Sequence, residues 1–285
     1  MLLPSVDQIL ANVKGLEQIQ PLAQGGQKTV YHAKHTTYGE IALKLILSSI
    51  ADRRTEREIE VATKYHFTNV PILHEWGVFA EDQDERIVYF FEQFINGKTL
   101  RKVLTEQNTL GLSKTLELLK ILLTTAVELE KQRLVHRDIK PENIMLDDRG
   151  KFWILDFGIA RHLEKASITK TEARFGPHTV GYAAPEQFRN YKKEIDIRAD
   201  LFSIGVVTYE AISGVNPFWL EAQSALDVLY RTETVLPSPL FIPGDSQRQL
   251  SGLIGIMMEK FPSRRPPTAE VALNWFESLL PTIKQ

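Results

Sequence analysis

The octapeptide His136-Arg137-Asp138-Ile139-Lys140-Pro141-Glu142-Asn143 sets a carboxylate, a cation two residues on and a carboxamide five residues on within one short stretch. Transfer of a phosphoryl group calls for all three. Asp138 can orient an attacking hydroxyl and accept its proton, Lys140 can offset charge on the group in flight, and the Asn143 amide oxygen can hold a divalent cation. Taken by itself the octapeptide also admits a plainer account, in which Asp138 caps a turn and Lys140 is solvated. The residues that follow speak against it. Asn143 to Leu146 and Phe152 to Leu155 are apolar runs on either side of Asp147-Asp148-Arg149-Gly150-Lys151, a composition suited to a tight turn between antiparallel strands. A turn centred between Arg149 and Gly150 pairs Asn143 with Asp156, bringing two hard oxygen ligands to one end of the ladder. Such a pair suits Mg²⁺, which takes one or two protein oxygens and completes its shell with phosphate and water.

These residues need a scaffold, and the pattern of the chain supplies one in two halves. After an amphipathic segment at Val6 to Val13, β-branched and aromatic runs at Thr29 to Lys34, Glu40 to Ile46, Ile72 to Val78 and Arg86 to Phe94 predict antiparallel strands. One charged stretch, Asp52 to Tyr65, interrupts them with helical spacing that puts Glu58, Ala62 and Tyr65 on one face. From about Lys98 the period becomes helical, over Leu112 to Gln132, Ile195 to Ser213, Ser246 to Lys260 and Thr268 to Leu280. The fold class is therefore α+β with two lobes: an N-lobe over about 1–93, a hinge over about 92–97 and a mostly helical C-lobe over about 98–285. A cleft between lobes is a usual ligand site. No internal repeat, low-complexity tract or long linker divides the chain, so residues 1–285 read as a single catalytic domain.

Bulk composition narrows the classes. With 43% apolar and 25% charged residues the 285-residue chain is ordinary globular protein, and a formal charge of −2 gives no general attraction to nucleic acid or anionic lipid. The sequence has no cysteine, which excludes disulfides, thiolate metal sites and cysteine nucleophiles and fits a reducing compartment. Its start has no basic and apolar leader, and Ile204 to Ile212, the most apolar run, is about half what a bilayer needs. A cytoplasmic setting without nucleic acid or membrane as partner is expected.

The octapeptide, then Asp156-Phe157-Gly158, then Ala184-Pro185-Glu186, in this order and spacing, resemble the catalytic loop, metal-binding triplet and activation-segment end of the eukaryotic-type Ser/Thr protein kinase family. The resemblance covers roughly residues 16 to 280. It implies a bilobal kinase fold, an antiparallel sheet with one main helix in the N-lobe, an activation segment over 156–186, and transfer of the γ-phosphoryl of ATP to protein hydroxyls with Mg²⁺, or Mn²⁺ in its place. Ile41-Ala42-Leu43-Lys44 looks like the strand whose lysine meets the α and β phosphates. The family pairs that lysine with a helix glutamate, for which Glu58 is first choice and Glu56 and Glu60 are alternatives. The resemblance further implies adenine walls from Leu22, Val30, Ala42 and Met145. Gln93 and Ile95 fall at the backbone positions that meet the base, and Glu92, or Phe91 if one residue bulges, falls at the back of the pocket. Glutamate there departs from the family's usual residue. So does the phosphate-covering loop: Gly25 and Gly26 stand in it, but Ala23 and Lys28 replace two of the family's glycines, with Lys28 a candidate charge near the phosphates.

The same resemblance gives Asp200 the task of holding the catalytic-loop backbone and makes Glu186 and Arg265 a buried ion pair. Lys140 after Asp138, together with Thr179-Val180-Gly181-Tyr182, looks like the Ser/Thr branch, with Thr179 touching Asp138 and Lys140. Arg137 before the catalytic aspartate suggests a dock for a phosphate on Ser167, Thr169 or Thr171. The partner is a protein substrate, and control is expected from a separate regulatory protein. Two other readings carry the same fold: a binding module that does not turn over, and a small-molecule phosphotransferase of the aminoglycoside or choline kinase kind.

Overall fold

The computed structural model of the protein describes residues 4–24, 28–49, 66–81, 85–155, 180–188 and 195–283. They fall into two compact units, Met1–Asn96 with Leu155–Arg174, and Gly97–Ile154 with Phe175–Gln285.

The first unit is a five-stranded antiparallel sheet in the order β1-β2-β3-β5-β4, from Leu16–Gln24, Lys28–His35, Gly39–Ser49, Glu85–Gln93 and Leu73–Glu81 respectively. Strict alternation along the central strands makes two faces. Ile41, Leu43 and Leu45 of β3, Tyr31 and Ala33 of β2, and Ile87 and Phe91 of β5 turn to one side. That side is covered by α1 (Val6–Asn12), whose Ile9, with Val13 just beyond the helix, joins the same core. A reciprocal cap starts the helix: Ser5 Oγ accepts from the Gln8 backbone N–H at 3.3 Å, and Gln8 Oε1 accepts from the Ser5 N–H at 2.9 Å. The amphipathic segment at Val6 to Val13 is thus the roof of the sheet. On the opposite face, three rows cross the strands in register: His32, Ala42 and Glu92; Val30, Lys44 and Phe90; Lys28, Ile46 and Val88. The four predicted strands are present, and β1 is an additional strand that the sequence pattern did not mark.

In the second unit a small sheet, β6 (Gly97–Thr99), β7 (Ile144–Asp147) and β8 (Phe152–Ile154), lies beside helices α2 (Leu100–Gln107), α3 (Leu112–Lys131), α4 (Pro185–Phe188), α5 (Ile197–Ser213), α6 (Ala225–Thr234), α7 (Gln249–Met257) and α8 (Ala269–Leu279). Helix α5 is apolar nearly all round and correspondingly buried along most of its length, with α3 and α7 packed against it. The polar residues it does bury, Asp200, Ser203, Thr208 and Glu210, each accept or donate a hydrogen bond. Helices α2 and α6 were not foreseen; both are short and carry few core positions. Among the described residues no helix is long and apolar enough to cross a membrane.

The β7–β8 hairpin corrects one expectation. Its register pairs Ile144 with Ile154 and Leu146 with Phe152, so the turn is centred on Arg149, half a residue earlier than the sequence suggested, and every cross-strand partner moves by one. The loop holds three residues: Asp147 donates its N–H to Lys151 O at 3.0 Å, and Gly150 takes a left-handed φ of +80°. The Asp147 carboxylate accepts from the N–H groups of Arg149 and Lys151 and from the Trp153 ring, which depresses its pKa against the effect of partial burial. Carried one step beyond Ile144, the same register sets Asn143 opposite Leu155; Asp156 lies outside the described residues.

Candidate active site

The octapeptide His136 to Asn143 is separated from α3 by four residues and ends in a single 3₁₀ turn, Pro141–Asn143, that leads into β7. Its backbone is held from below by α5. Asp200, fully buried, accepts the His136 N–H on Oδ2 and the Arg137 N–H on Oδ1, both at 2.7 Å. Burial pushes the Asp200 carboxyl upward, against the pull of His136, Arg137 and the two N–H donors. Clamping two successive N–H groups fixes a bend in which Arg137 adopts φ +65°, a conformation that costs a side-chain-bearing residue energy and persists only when its surroundings impose it. The bend delivers the chemistry. Lys140 Nζ lies 3.0 Å from Asp138 Oδ2, and Asn143 Nδ2 donates to the same oxygen at 2.8 Å and to the Asp138 carbonyl at 2.9 Å. Asn143 spends its amide nitrogen on Asp138, which turns its Oδ1, a hard acceptor, the other way. That end suits a divalent cation.

Further clamps hold residues 180–187. Arg265 and Glu186 meet through two parallel contacts, Nη1 to Oε1 at 2.7 Å and Nη2 to Oε2 at 3.0 Å, with side chains 0% and 6% exposed. Gln187 links this corner to the catalytic loop: its Nε2 donates to Arg137 O at 3.0 Å, and its Oε1 accepts from Ala184 N at 2.9 Å. Three carbonyls of residues 180–182 are each tied by a side chain from elsewhere. Trp219 Nε1 donates to Val180 O at 2.8 Å, Asn216 Nδ2 to Gly181 O at 3.2 Å, and Ser203 Oγ to Tyr182 O at 2.9 Å. The Tyr182 hydroxyl donates to Glu210 and accepts from Arg101. Arg101 also donates to Glu210 at 2.6 Å and to Glu142 at 2.8 Å. Burial and the Glu210 carboxylate keep the Tyr182 hydroxyl protonated well beyond its ordinary range, though Arg101 works against them. This network lines a cavity of about 490 Å³ together with Trp219 and Leu220.

In the sheet unit, Lys44 and Glu92 form an ion pair with side chains 8% and 18% exposed. They are diagonal neighbours across β3 and β5, close enough for long side chains to meet. Phe91 faces the other way, into the core under α1, so of the two alternatives Glu92 is the one on Lys44's face, beside Phe90. His32, opposite Ala42, stacks on Phe94 with centroids 3.9 Å apart.

Of the residues singled out from sequence, Asp138, Lys140, Asn143, Arg137, Asp200, Glu186, Arg265 and Met145 lie in the helical unit; the first five are joined by contacts that run through His136, and Glu186 with Arg265 forms a separate pair next to Gln187, which bonds Arg137 O. Leu22, Lys28, Val30, Ala42, Lys44, Gln93 and Ile95 lie in the sheet unit. Lys44 and Ile95 are buried there, Val30 is half-buried, and Leu22, at a bulge in β1, is largely exposed. Gln93 donates its backbone N–H to Ile72 O at 2.8 Å. Gly25, Gly26, Glu58 with its alternatives Glu56 and Glu60, Asp156, Ser167, Thr169, Thr171 and Thr179 lie outside the described residues. Sequence reasoning missed Arg101, Tyr182, Glu210, Gln187, Asn216 and Trp219, because each acts through a contact made across distant segments. Its one available signal was Asn216-Pro217-Phe218-Trp219 directly after the apolar helix, a turn sequence bearing a large aromatic residue.

The sequence pattern of the protein kinase domain matches residues 16–276. PknB of Bifidobacterium longum, a probable serine/threonine-protein kinase, is 29% identical over 79% of this chain and 34% of its own length. The serine/threonine-protein kinases PknA and PknL of Mycobacterium tuberculosis are 30% and 32% identical, over 86% and 74% of this chain and 56% and 51% of their own lengths. The chain thus spans from a third to just over half the length of these relatives.

Proposed function

This chain belongs to the protein kinase domain family, and from that premise we propose that it transfers the γ-phosphoryl group of ATP to serine and threonine hydroxyls of proteins. The observation that carries the reading is the joined set Asp138, Lys140 and Asn143, held on a backbone whose N–H groups are clamped by buried Asp200. The acceptor hydroxyl approaches Asp138, which orients it and takes its proton. Its oxygen bonds to the γ-phosphorus as the bond from that phosphorus to the β,γ-bridging oxygen breaks, leaving ADP and a phosphate ester. Lys140 offsets charge on the transferring group, and its contact with Asp138 keeps both groups where the acceptor arrives. Asn143, with Asp156, would hold Mg²⁺, or Mn²⁺ in its place, and the bound ion would neutralise phosphate charge. Lys44 meets the α and β phosphates, while Leu22, Val30, Ala42 and Met145 enclose the base and the backbone at Gln93 and Ile95 meets its edge. Thr179 completes the acceptor side, and Arg137 receives a phosphate placed on Ser167, Thr169 or Thr171. The cavity beside residues 180–182 is open to a peptide acceptor. A cytoplasmic setting, where ATP is available and a chain without cysteine is at no disadvantage, belongs to the same reading.

Incubation with γ-labelled ATP, Mg²⁺ and a generic basic protein tests it. Label on serine or threonine with the wild type and none with Lys44→Met is the expected result. Label that persists in the variant, or a wild type that labels nothing, counts against the reading.

A further inference from the structure

Glu92 is the residue for which neither the chemistry of phosphoryl transfer nor the stability of the sheet supplies a need. A largely buried carboxylate on a sheet face that it shares with Val30, Ala42, Ile46, Val88 and Phe90 as well as with Lys28, His32 and Lys44 has a desolvation cost that an apolar residue would avoid. It is not exchanged for Phe91 by any slip, since the β3–β5 ladder runs in unbroken register from Ile41 with Gln93 to Ser49 with Glu85. The partner of that carboxylate is the ammonium of Lys44.

We propose that Glu92 is a specificity-determining residue of the nucleotide site: its carboxylate shares the Lys44 ammonium with the nucleotide's phosphates and weakens the hold on phosphate relative to the hold on adenosine. This rests on the reading above that Lys44 meets ATP phosphate. An ammonium has three donors, and two acceptors on neighbouring N–H bonds at ordinary hydrogen-bond lengths lie about 4.6 Å apart. Two anions at that separation repel each other, and in a site where the side chains are 8% and 18% exposed the repulsion is only partly screened. The ladder fixes the backbone of both residues, so the Glu92 carboxylate is kept within reach of Lys44. A helix glutamate such as Glu58 can share the same ammonium without altering this, because the effect depends on charge within the sheet. The consequence is a site that grips ATP less tightly and lets ADP leave more readily.

Calorimetric titration of the chain with ADP and, separately, with adenosine, both in Mg²⁺, tests the proposal in wild type and Glu92→Gln. Glutamine keeps the length and offers Lys44 an amide oxygen, removing only the charge. The variant is expected to bind ADP about tenfold more tightly and adenosine equally well. Glu92→Thr, a shorter neutral side chain, should shift ADP in the same direction, and thermal melting of each variant without nucleotide checks that the fold is kept. ADP affinity that is unchanged or weaker in both variants overturns the proposal, as does an equal gain for adenosine. Wild-type protein that binds neither ligand overturns it together with the kinase reading, a result distinct from the first two.

Discussion

In the helical unit, Arg265 gives two donors to Glu186 and the rest to the carbonyls of Arg198, Glu259 and Lys260, at 2.7 to 3.3 Å. In the sheet unit, Lys44 meets Glu92 end-on, through a compact ammonium on a flexible stem. All five N–H groups of the guanidinium are used and its planar fork matches the carboxylate, so this pair has one arrangement. An ammonium keeps rotatable donors and can turn one toward a second anion. The contrast separates two uses of buried charge. A saturated bidentate pair fixes backbone that must not move, here the corner that supports the catalytic loop. An end-on pair made by an ammonium lets the cation be shared among several acceptors.

The largest effect is expected where saturation is broken. Arg265→Ala leaves Glu186 buried without its counter-ion and should cost about 3–5 kcal/mol of unfolding free energy, measured by urea titration. A loss under 1 kcal/mol would erase the distinction between the two pairs. Next comes Asp200→Asn, which keeps shape but turns an NH₂ toward one of two backbone donors. It should cost about 1–3 kcal/mol and also lower phosphate incorporation, because the bend at Arg137 loses its clamp. A variant that loses stability yet keeps full activity would show that the clamp serves the fold alone.

A smaller effect sharpens the comparison through a third cation. Lys260 Nζ is buried with no hydrogen-bond partner among the described residues and lies 4.2 Å from the centre of the Phe218 ring. Burial and the neighbouring Arg265 charge hold its ammonium down to about 7, against a weaker upward pull from Glu259. The sign follows from proton counting. Between about pH 7 and the ordinary lysine range near 10.4, the unfolded chain binds a proton that the folded chain does not, so stability rises with pH across that window. Lys260→Met should therefore melt about 2–4 °C higher than wild type at pH 6.5, with the gain shrinking toward pH 10. A gain that is independent of pH would mean that the charge at Lys260 is not what costs stability.

The same contrast explains what could be read in the sequence. Asp138, Lys140 and Asn143 sit within one short segment, so their meeting is local and visible as spacing. Asp200, Glu186 and Arg265 lie far apart in the chain and were placed by resemblance; in the structure Asp200 accepts from the His136 and Arg137 N–H groups and Glu186 meets Arg265. The Lys44–Glu92 pair was invisible because it depends on the register between two strands more than forty residues apart, and alternation along one strand gives its faces but not its partner's offset. The β7–β8 turn failed for a related reason: Asp147-Asp148-Arg149-Gly150-Lys151 allows a two- or three-residue loop, and the φ of Gly150 decides between them. Nothing in the spacing around Arg101 marks it out. Its role appears only once Glu142, Tyr182 and Glu210 are brought to it.

The most direct test of the central claim separates binding from transfer at Asp138. Single-turnover phosphoryl transfer from γ-labelled ATP to a serine-containing protein is measured for wild type and Asp138→Asn, with ADP affinity measured on the same samples. The account predicts transfer at least about 100-fold slower in the variant with ADP affinity kept within a few-fold, since Asp138 handles the acceptor hydroxyl and not the nucleotide. Transfer at the wild-type rate by Asp138→Asn would contradict it.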